Sequence, residues 1–361
     1  MKAGIFFSFQ NPDRSRNDGE AIRTALKLMA DPAEDLGYDS IWFSEHHFTG
    51  YSVSPNPLQL MTYMAGRTRR VEIGSAVVVL PWHNPVRVAE EVAMLDVLSD
   101  GRIRLAIGRG AGRVEYDTFG LDMNESRQLF IESAEILIQG LENGYCEYDG
   151  TLIKQSRAEI RPTPTKSFRG RTYAAGSSPE TIGIMANLGV GMFIIPQKSI
   201  DKLTAELGEY RGIFASKHDF APPPPILSGH VFCDENEERA YEMAKKYIGG
   251  YWQTVLDHYR FDTGHLEGTK GYEHYLKYKR QIEAMGGGAV ADEFVKLNIW
   301  GTPEMCYEKI KTYHDATGAD TFLGVFSYAM MPWNEVQRNF DLFTRTVKPE
   351  IQKLAARPER I

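Results

Sequence analysis

The sequence predicts a (β/α)8 TIM barrel, with insertions after the fourth and seventh strands, spanning residues 1–361 as one domain. Three observations carry this. Eight short apolar or β-branched runs recur along the chain, most of them followed by a stretch with helical spacing. The length of 361 residues suits one large barrel as well as two average domains. A doubly wound sheet, the runner-up, would open with strand, GxGxxG and helix, and this chain does not. Its glycines at 108, 110 and 112 follow the fourth run rather than the first, and Arg113 comes next.

Residues 3–7 form the first strand. Residues 18–36 carry Ala21, Ala25, Leu28 and Met29 at helical spacing, and Gly37 ends that helix as a C-cap. Ile41, Trp42 and Phe43 make the second strand, with a helix over 57–66 behind it. Residues 71–80 are β-branched without alternation, so both faces are buried, as in a parallel sheet. A helix after Pro85 carries Val88, Val92, Leu95 and Leu98, and Asp100-Gly101 turns the chain into strand four at 103–107. A glycine-rich loop from Gly108 to Glu115 and a helix over 124–141 follow. Residues 145–160 break the rhythm as two β-like pieces about Asp149-Gly150, an appended hairpin. Strand five is 172–175, with Ser177, Ser178 and Pro179 opening its helix. Strand six is 190–195, with a helix over 200–214, and four prolines stiffen the approach to strand seven at 226–232. A helix over 235–250 leads to residues 262–296, rich in Gly, Tyr and charge, which read as a long mobile loop or lid. Thr302 and Pro303 open the next helix, strand eight is 321–326, and a helix over 332–347 closes the pattern.

Lys plus Arg number 41 and Asp plus Glu 48, a net charge of 41 − 48 = −7 with no basic run. That balance argues against nucleic acid or an anionic membrane as the main partner. Cys146, Cys233 and Cys306 are far apart, without metal-ligand or redox spacing, and suit a reduced, cytoplasmic compartment as small buried hydrophobes. The start of the chain is too short an apolar run for a signal peptide, and no segment has the length of a membrane span.

Strand two stops abruptly in Glu45, His46 and His47. In a barrel this delivers titratable groups to the rim where such folds do chemistry. Successive strand side chains face opposite ways, so one histidine, His46 or His47, is a candidate acid/base and the other a packing residue. The same rim receives Pro81 to Asn84, Arg109 with Glu115, Ser177 and Ser178 with Thr181, Pro196-Gln197, and Ser327-Tyr328. Arg109 between glycines can fork onto a phosphate, or else pair with Glu115. Ser177 and Ser178 offer hydroxyls at a helix start, or else merely cap it. A metal is disfavoured because Glu45, His46 and His47 are consecutive and no second His/Asp cluster has zinc spacing. Loop aromatics such as Trp82, Tyr116, Trp252, Tyr328 and Trp333 suit a flat aromatic ligand, or simply rim packing.

Taken in order, several stretches also resemble a known family. They are Gly37 to Trp42 running on through Glu45 to Thr49, Ile73 to Pro81, Asn84 to Arg87, and Leu98 to Arg102. Arg109-Gly110 with Phe119-Gly120, Asp122 to Arg127, Gly271-Tyr272, and Gly301 to Glu304 complete the series. Together the pattern is similar to the bacterial luciferase-like flavin monooxygenases, nearest to their alpha subunits, over nearly the whole chain. The resemblance implies a (β/α)8 barrel that takes reduced FMN from a flavin reductase. Reaction with O2 then gives a C4a-hydroperoxide that oxidises a small organic substrate, in a homodimer or heterodimer. It implies His46 as the catalytic imidazole, and Arg109, Ser177, Ser178 and Thr181 as flavin-phosphate ligands. It further implies a cis peptide between Ala76 and Val77 against the flavin ring, Glu115 as an acidic group near it, and residues 262–296 as the mobile lid. Gly108 stands where the alpha subunits carry a reactive cysteine, which counts against light emission. Asn84 stands where many relatives have a histidine, with His83 adjoining. The alternatives are a deazaflavin-dependent oxidoreductase of the same superfamily and a non-catalytic flavin-binding subunit. His46, Arg109 and the insertion argue against the second.

Overall fold

Strands apolar on both faces need cover on both sides, and here they obtain it by closing on themselves inside a ring of helices. The computed structural model describes residues 1–176 and 178–355. Its barrel strands are β1 (Lys2–Phe7), β2 (Ser40–Phe43), β3 (Glu72–Ser75), β4 (Ile103–Gly108), β5 (Thr172–Ala175), β6 (Gly191–Ile194), β7 (Ile226–Cys233) and β8 (Thr321–Val325). All pairings between them are parallel, each strand beside its neighbour in sequence, with β8 on β1. Ile226 opposite Phe193 and Leu227 opposite Ile194 join β7 to β6 and complete the circle.

The barrel interior is filled by Trp42, Ala106, Tyr173, Phe193, Ile226 and Leu323. Trp42 is the largest of these, and its indole N–H donates to Ser40 Oγ at 2.9 Å. A side chain at position 74 would put Cβ 2.2 Å from the Trp42 ring, so the glycine there makes the room that the indole occupies. Most remaining apolar side chains form one larger cluster between the barrel wall and the helices.

The β-branched run after residue 71 is not one strand. The peptide between Ala76 and Val77 is cis, and the strand resumes as Val78–Val79 on β4 before a short turn, Leu80–Trp82. The hairpin predicted over 145–160 is present as Tyr145–Asp149 against Lys154–Glu159. The helix foreseen over 18–36 is helical only as Asp18–Ala25, with a wider turn Leu26–Ala30 after it, and Gly37 has φ +74°. A helix not foreseen in the glycine-rich loop, Arg113–Phe119, ends on Gly120 in the left-handed region.

Two departures reshape the site. The helix expected to stop at Gly250 runs as Glu237–Tyr259. Two adjacent glycines cost it about 1 kcal/mol each in helix propensity. Burial of Trp252, Val255, Leu256 and His258 in its second half offsets that cost. Residues 262–296, expected to be irregular, contain two helices, Leu276–Met285 and Gly287–Leu297, broken at Gly286 with φ +82°. Among the described residues the three cysteines are free and buried, and no helix is long and apolar enough to cross a membrane.

Candidate active site

The C-terminal ends of the strands open into one cavity of about 250 Å3. Its floor is apolar: Phe6, Ala76, Val77, Gly108, Ala175 and Phe193. Its roof is aromatic, with Tyr51, Tyr251, Tyr259, Phe261, Tyr275 and Phe294. The loop aromatics expected here, Trp82, Tyr116, Trp252, Tyr328 and Trp333, are absent from the wall. Apart from Tyr51 and Phe261, the roof comes instead from the lengthened helix Glu237–Tyr259 and from the insertion. That insertion is docked over the mouth. Tyr272, wholly buried, donates to Gly110 O at 2.9 Å, and Arg113 holds His265 O at 2.9 Å and Thr269 Oγ1 at 3.1 Å.

The two histidines part company, although the strand itself ends at Phe43 and both lie in the loop after it. His46 lines the cavity, whereas His47 packs between Phe48, Trp82 and Phe119 and donates to Glu45 Oε1 at 3.1 Å. Glu45 is buried at the end of β2 and gathers three donors. Besides His47, His83 Nε2 sits 2.6 Å from Oε1, and the Val79 N–H donates to Oε2 at 2.8 Å. Burial disfavours the Glu45 charge, but these hydrogen bonds outweigh it and hold the carboxyl below its ordinary value. Asn84 caps the helix Pro85–Leu98 through its side chain and His83 is bonded to Glu45; neither lines the cavity.

Glu115 was expected beside a cofactor. It is instead fully buried behind His46 and does not line the cavity. Its Oε1 accepts the His47 N–H at 2.9 Å and His46 Nδ1 at 3.1 Å. An ionised carboxylate only accepts, so His46 carries its proton on Nδ1 and keeps Nε2, 3.4 Å from the Tyr259 hydroxyl, on the cavity side. On the other oxygen, His258 Nε2 approaches Oε2 at 3.5 Å, while His258 Nδ1 lies 2.8 Å from Thr49 Oγ1. A Cβ on Gly112 would fall 2.3 Å from Glu115 Oε2 and 2.9 Å from His258 Nε2, so only glycine leaves this junction intact. The fold thus brings His46, Glu115 and His258 within 4.8 Å, a grouping of metal-ligating type invisible to an argument from chain neighbours.

Burial pushes the Glu115 carboxyl up, and the charge and hydrogen bond of His46, with the His258 imidazole close by, more than reverse this, leaving it at about 2. His258 is driven down, by burial first. A carboxyl whose folded value lies below its ordinary 4.5 stabilises the fold above pH 4.5, and loses that contribution as pH falls toward 2. Glu115→Gln is therefore expected to lower the melting temperature at pH 7, with the gap to wild type narrowing steadily below pH 4.5. Melting curves across that window check it; a gap independent of pH would show that the charge is not what matters.

Across the cavity lies a cationic end. Arg109 and Arg127 both line the wall and converge on Gly271. A Cβ there would lie 2.8 Å from Arg109 Nη1 and 2.9 Å from Arg127 Nη2. Arg109 does not pair with Glu115; its Nη2 donates to Gly271 O at 2.9 Å and its guanidinium sits 4.1 Å over the Tyr272 ring. Thr181 lines the wall, in the first turn of the helix Pro179–Leu188, and shares a 2.7 Å hydrogen bond with Ser178 Oγ. Ser178 itself is buried off the wall, and Ser177 lies outside the described residues. Two guanidiniums, a threonine hydroxyl and a helix start suit a phosphate. Ala76, Val77 and Gly108 offer a flat apolar bed for a ring system. Gly108 is itself required: a Cβ there would meet Val77 Cγ2 at 2.5 Å.

Residues 1–320 match the family model described as luciferase-like monooxygenase. The alkanal monooxygenase alpha chain of Photorhabdus luminescens is 29% identical over 359 residues, covering 98% of each chain. Among solved structures, monooxygenase RslO1 from Streptomyces bottropensis superposes with a TM-score of 0.79 at 22% identity, over 97% of this chain and 99% of that one. The oxygenating constituent of 3,6-diketocamphane monooxygenase from Pseudomonas putida, solved with FMN, gives 0.72 at 20% identity over 99% of both. The fold is also that of an F420-dependent secondary alcohol dehydrogenase, with a TM-score of 0.69 at 17% identity over 97% and 98%.

Proposed function

This chain belongs to the luciferase-like monooxygenase family, and on that premise we propose that it is a two-component, FMN-dependent monooxygenase of the cytoplasm. It takes reduced FMN from a separate flavin reductase and uses O2 to oxidise a small organic substrate, working as a homodimer or heterodimer. The observation that carries this reading is that one apolar cavity is walled both by a carboxylate-held imidazole, His46, and by two converging guanidiniums, Arg109 and Arg127.

Arg109, Arg127 and Thr181 would hold the phosphate, and Ala76, Val77 and Gly108 would bed the ring system. Bound reduced FMN would supply the electrons that activate O2. Everything else falls to the chain itself. His46 holds or moves a proton at Nε2, its ring fixed by Glu115. The docked insertion and the aromatic roof keep water from that proton and from the activated oxygen. Glu45, with His47, His83 and Val79 on it, fixes the end of β2 from which His46 projects.

The test mixes the protein with photoreduced FMN and aerated buffer and follows absorbance and oxygen uptake. A long-lived oxygenated-flavin spectrum, with reoxidation much slower than that of free FMN, is expected. Reoxidation at the free-flavin rate, together with hydride transfer from a reduced deazaflavin, would replace this reading by the deazaflavin one.

A further inference from the structure

The cavity holds a second imidazole that the proposed chemistry leaves unused. His230 is on β7, opposite Val325 of β8, and its ring lines the cavity although 93% of the residue is buried, its exposure being 7%. Its backbone N–H donates to Asn298 Oδ1 at 2.9 Å, and its Nδ1 lies 3.2 Å from the same oxygen. The amide cannot be turned round, because Asn298 Nδ2 donates to Phe294 O at 2.9 Å. An oxygen accepts, so the proton is on His230 Nδ1 and Nε2 presents a lone pair. Burial drives the proton affinity of this imidazole down to about 3, so the ring is neutral throughout the physiological range.

No hydrogen bond to Nε2 occurs among the described residues, and His230 is one of the residues that line the cavity. Two tyrosine rings beside it have hydroxyls bonded elsewhere. Tyr328 donates to Val231 O at 2.9 Å, and Tyr251 is bonded to Tyr51 at 2.5 Å. The rings around it are aromatic: Tyr251 at 3.9 Å, Tyr328 at 4.9 Å and Phe294 at 6.0 Å between centroids. Tyr251 leads on to Tyr51, and Tyr51 stands 4.7 Å from the His46 ring, so this pocket is on the acid/base side of the cavity.

We propose that His230 Nε2 is the acceptor for a hydroxyl on the organic substrate, and that the substrate class is a flat, phenol-type compound. A neutral acceptor has nothing to offer an anionic or carbonyl-only end, and a buried acceptor left unpaired penalises any ligand that cannot donate to it. The aromatic walls supplied by Tyr251 and Phe294 favour a planar ring carrying that hydroxyl. The proposal rests on the monooxygenase reading only in taking this cavity as the substrate site.

The test is a binding titration without oxygen or reductant, so its failure is separate from failure of the oxygenation experiment. The probes are 2-naphthol and 2-methoxynaphthalene, added to wild type with and without FMN. At least about tenfold tighter binding of the naphthol is expected. His230→Leu should remove that preference while leaving the methoxy compound's affinity in place. His230→Gln, which can again present an oxygen, should restore part of it. Equal affinities in wild type, or a preference that survives in His230→Leu, overturns the proposal. The wild-type comparison decides even if the leucine variant does not fold.

Discussion

His46→Ala lowers turnover by at least about a hundredfold and leaves reduced-FMN affinity close to wild type: that is the expected result of removing the cavity-facing imidazole. General acid–base groups typically contribute 10²–10⁴-fold, and the cavity's other lining imidazole among the described residues, His230, is separated from His46 by Tyr51 and Tyr251. His47 is turned away onto Glu45, and His258 is sealed behind Glu115. The phosphate-suited end of the cavity is made by other residues, so binding should survive. Flavin titration beside single-turnover kinetics separates the two effects. Near wild-type oxygenation by the alanine variant would strip His46 of its role. Glu115→Gln offers a second reading of the same array. It keeps the shape but not the charge, so it should displace the pH profile of turnover, whereas a purely structural loss would lower the whole profile without moving it.

The barrel and half of the array were legible in the sequence because they are local. A strand of Ile41, Trp42 and Phe43 ending in Glu45, His46 and His47 states its chemistry within a few residues, and alternation leaves only one histidine free to face inward. His258, Tyr251 and Tyr259 were not legible. Gly249 and Gly250 mimic a helix end, and only the burial of the next two turns keeps the helix going to Tyr259. The same reliance on tertiary contact hid the partner of Glu115: residues 115 and 258 meet because that helix runs on past Gly250, and nothing in their spacing announces it. Arg127 lay within a stretch that already carried the family resemblance, yet its convergence with Arg109 depends on the fold bringing Gly271 between them. His230 had no local signal at all. It sits in a strand buried at every position, and its significance comes from one amide, Asn298, which caps the helix Gly287–Leu297 just past the insertion.

Arg109→Ala and Arg127→Ala each weaken FMN binding by roughly ten- to a hundredfold, the loss expected when a charged hydrogen-bond donor to phosphate is removed, at about 1.5–3 kcal/mol apiece. The two substitutions should not behave alike. Arg109 also holds the insertion down, through Gly271 O and the face of Tyr272, so its loss should loosen the roof as well as the phosphate site. Among the described residues Arg127 makes one ion pair, with Glu180 at 3.7 Å, so its loss should act on the phosphate alone. Riboflavin, which has the ring system without the phosphate, separates the contributions. Its affinity should be unchanged in Arg127→Ala and reduced in Arg109→Ala. Unchanged FMN affinity in both variants would remove this end of the cavity from phosphate binding. A riboflavin loss equal to the FMN loss in Arg127→Ala would move that arginine from the phosphate to the packing of the wall.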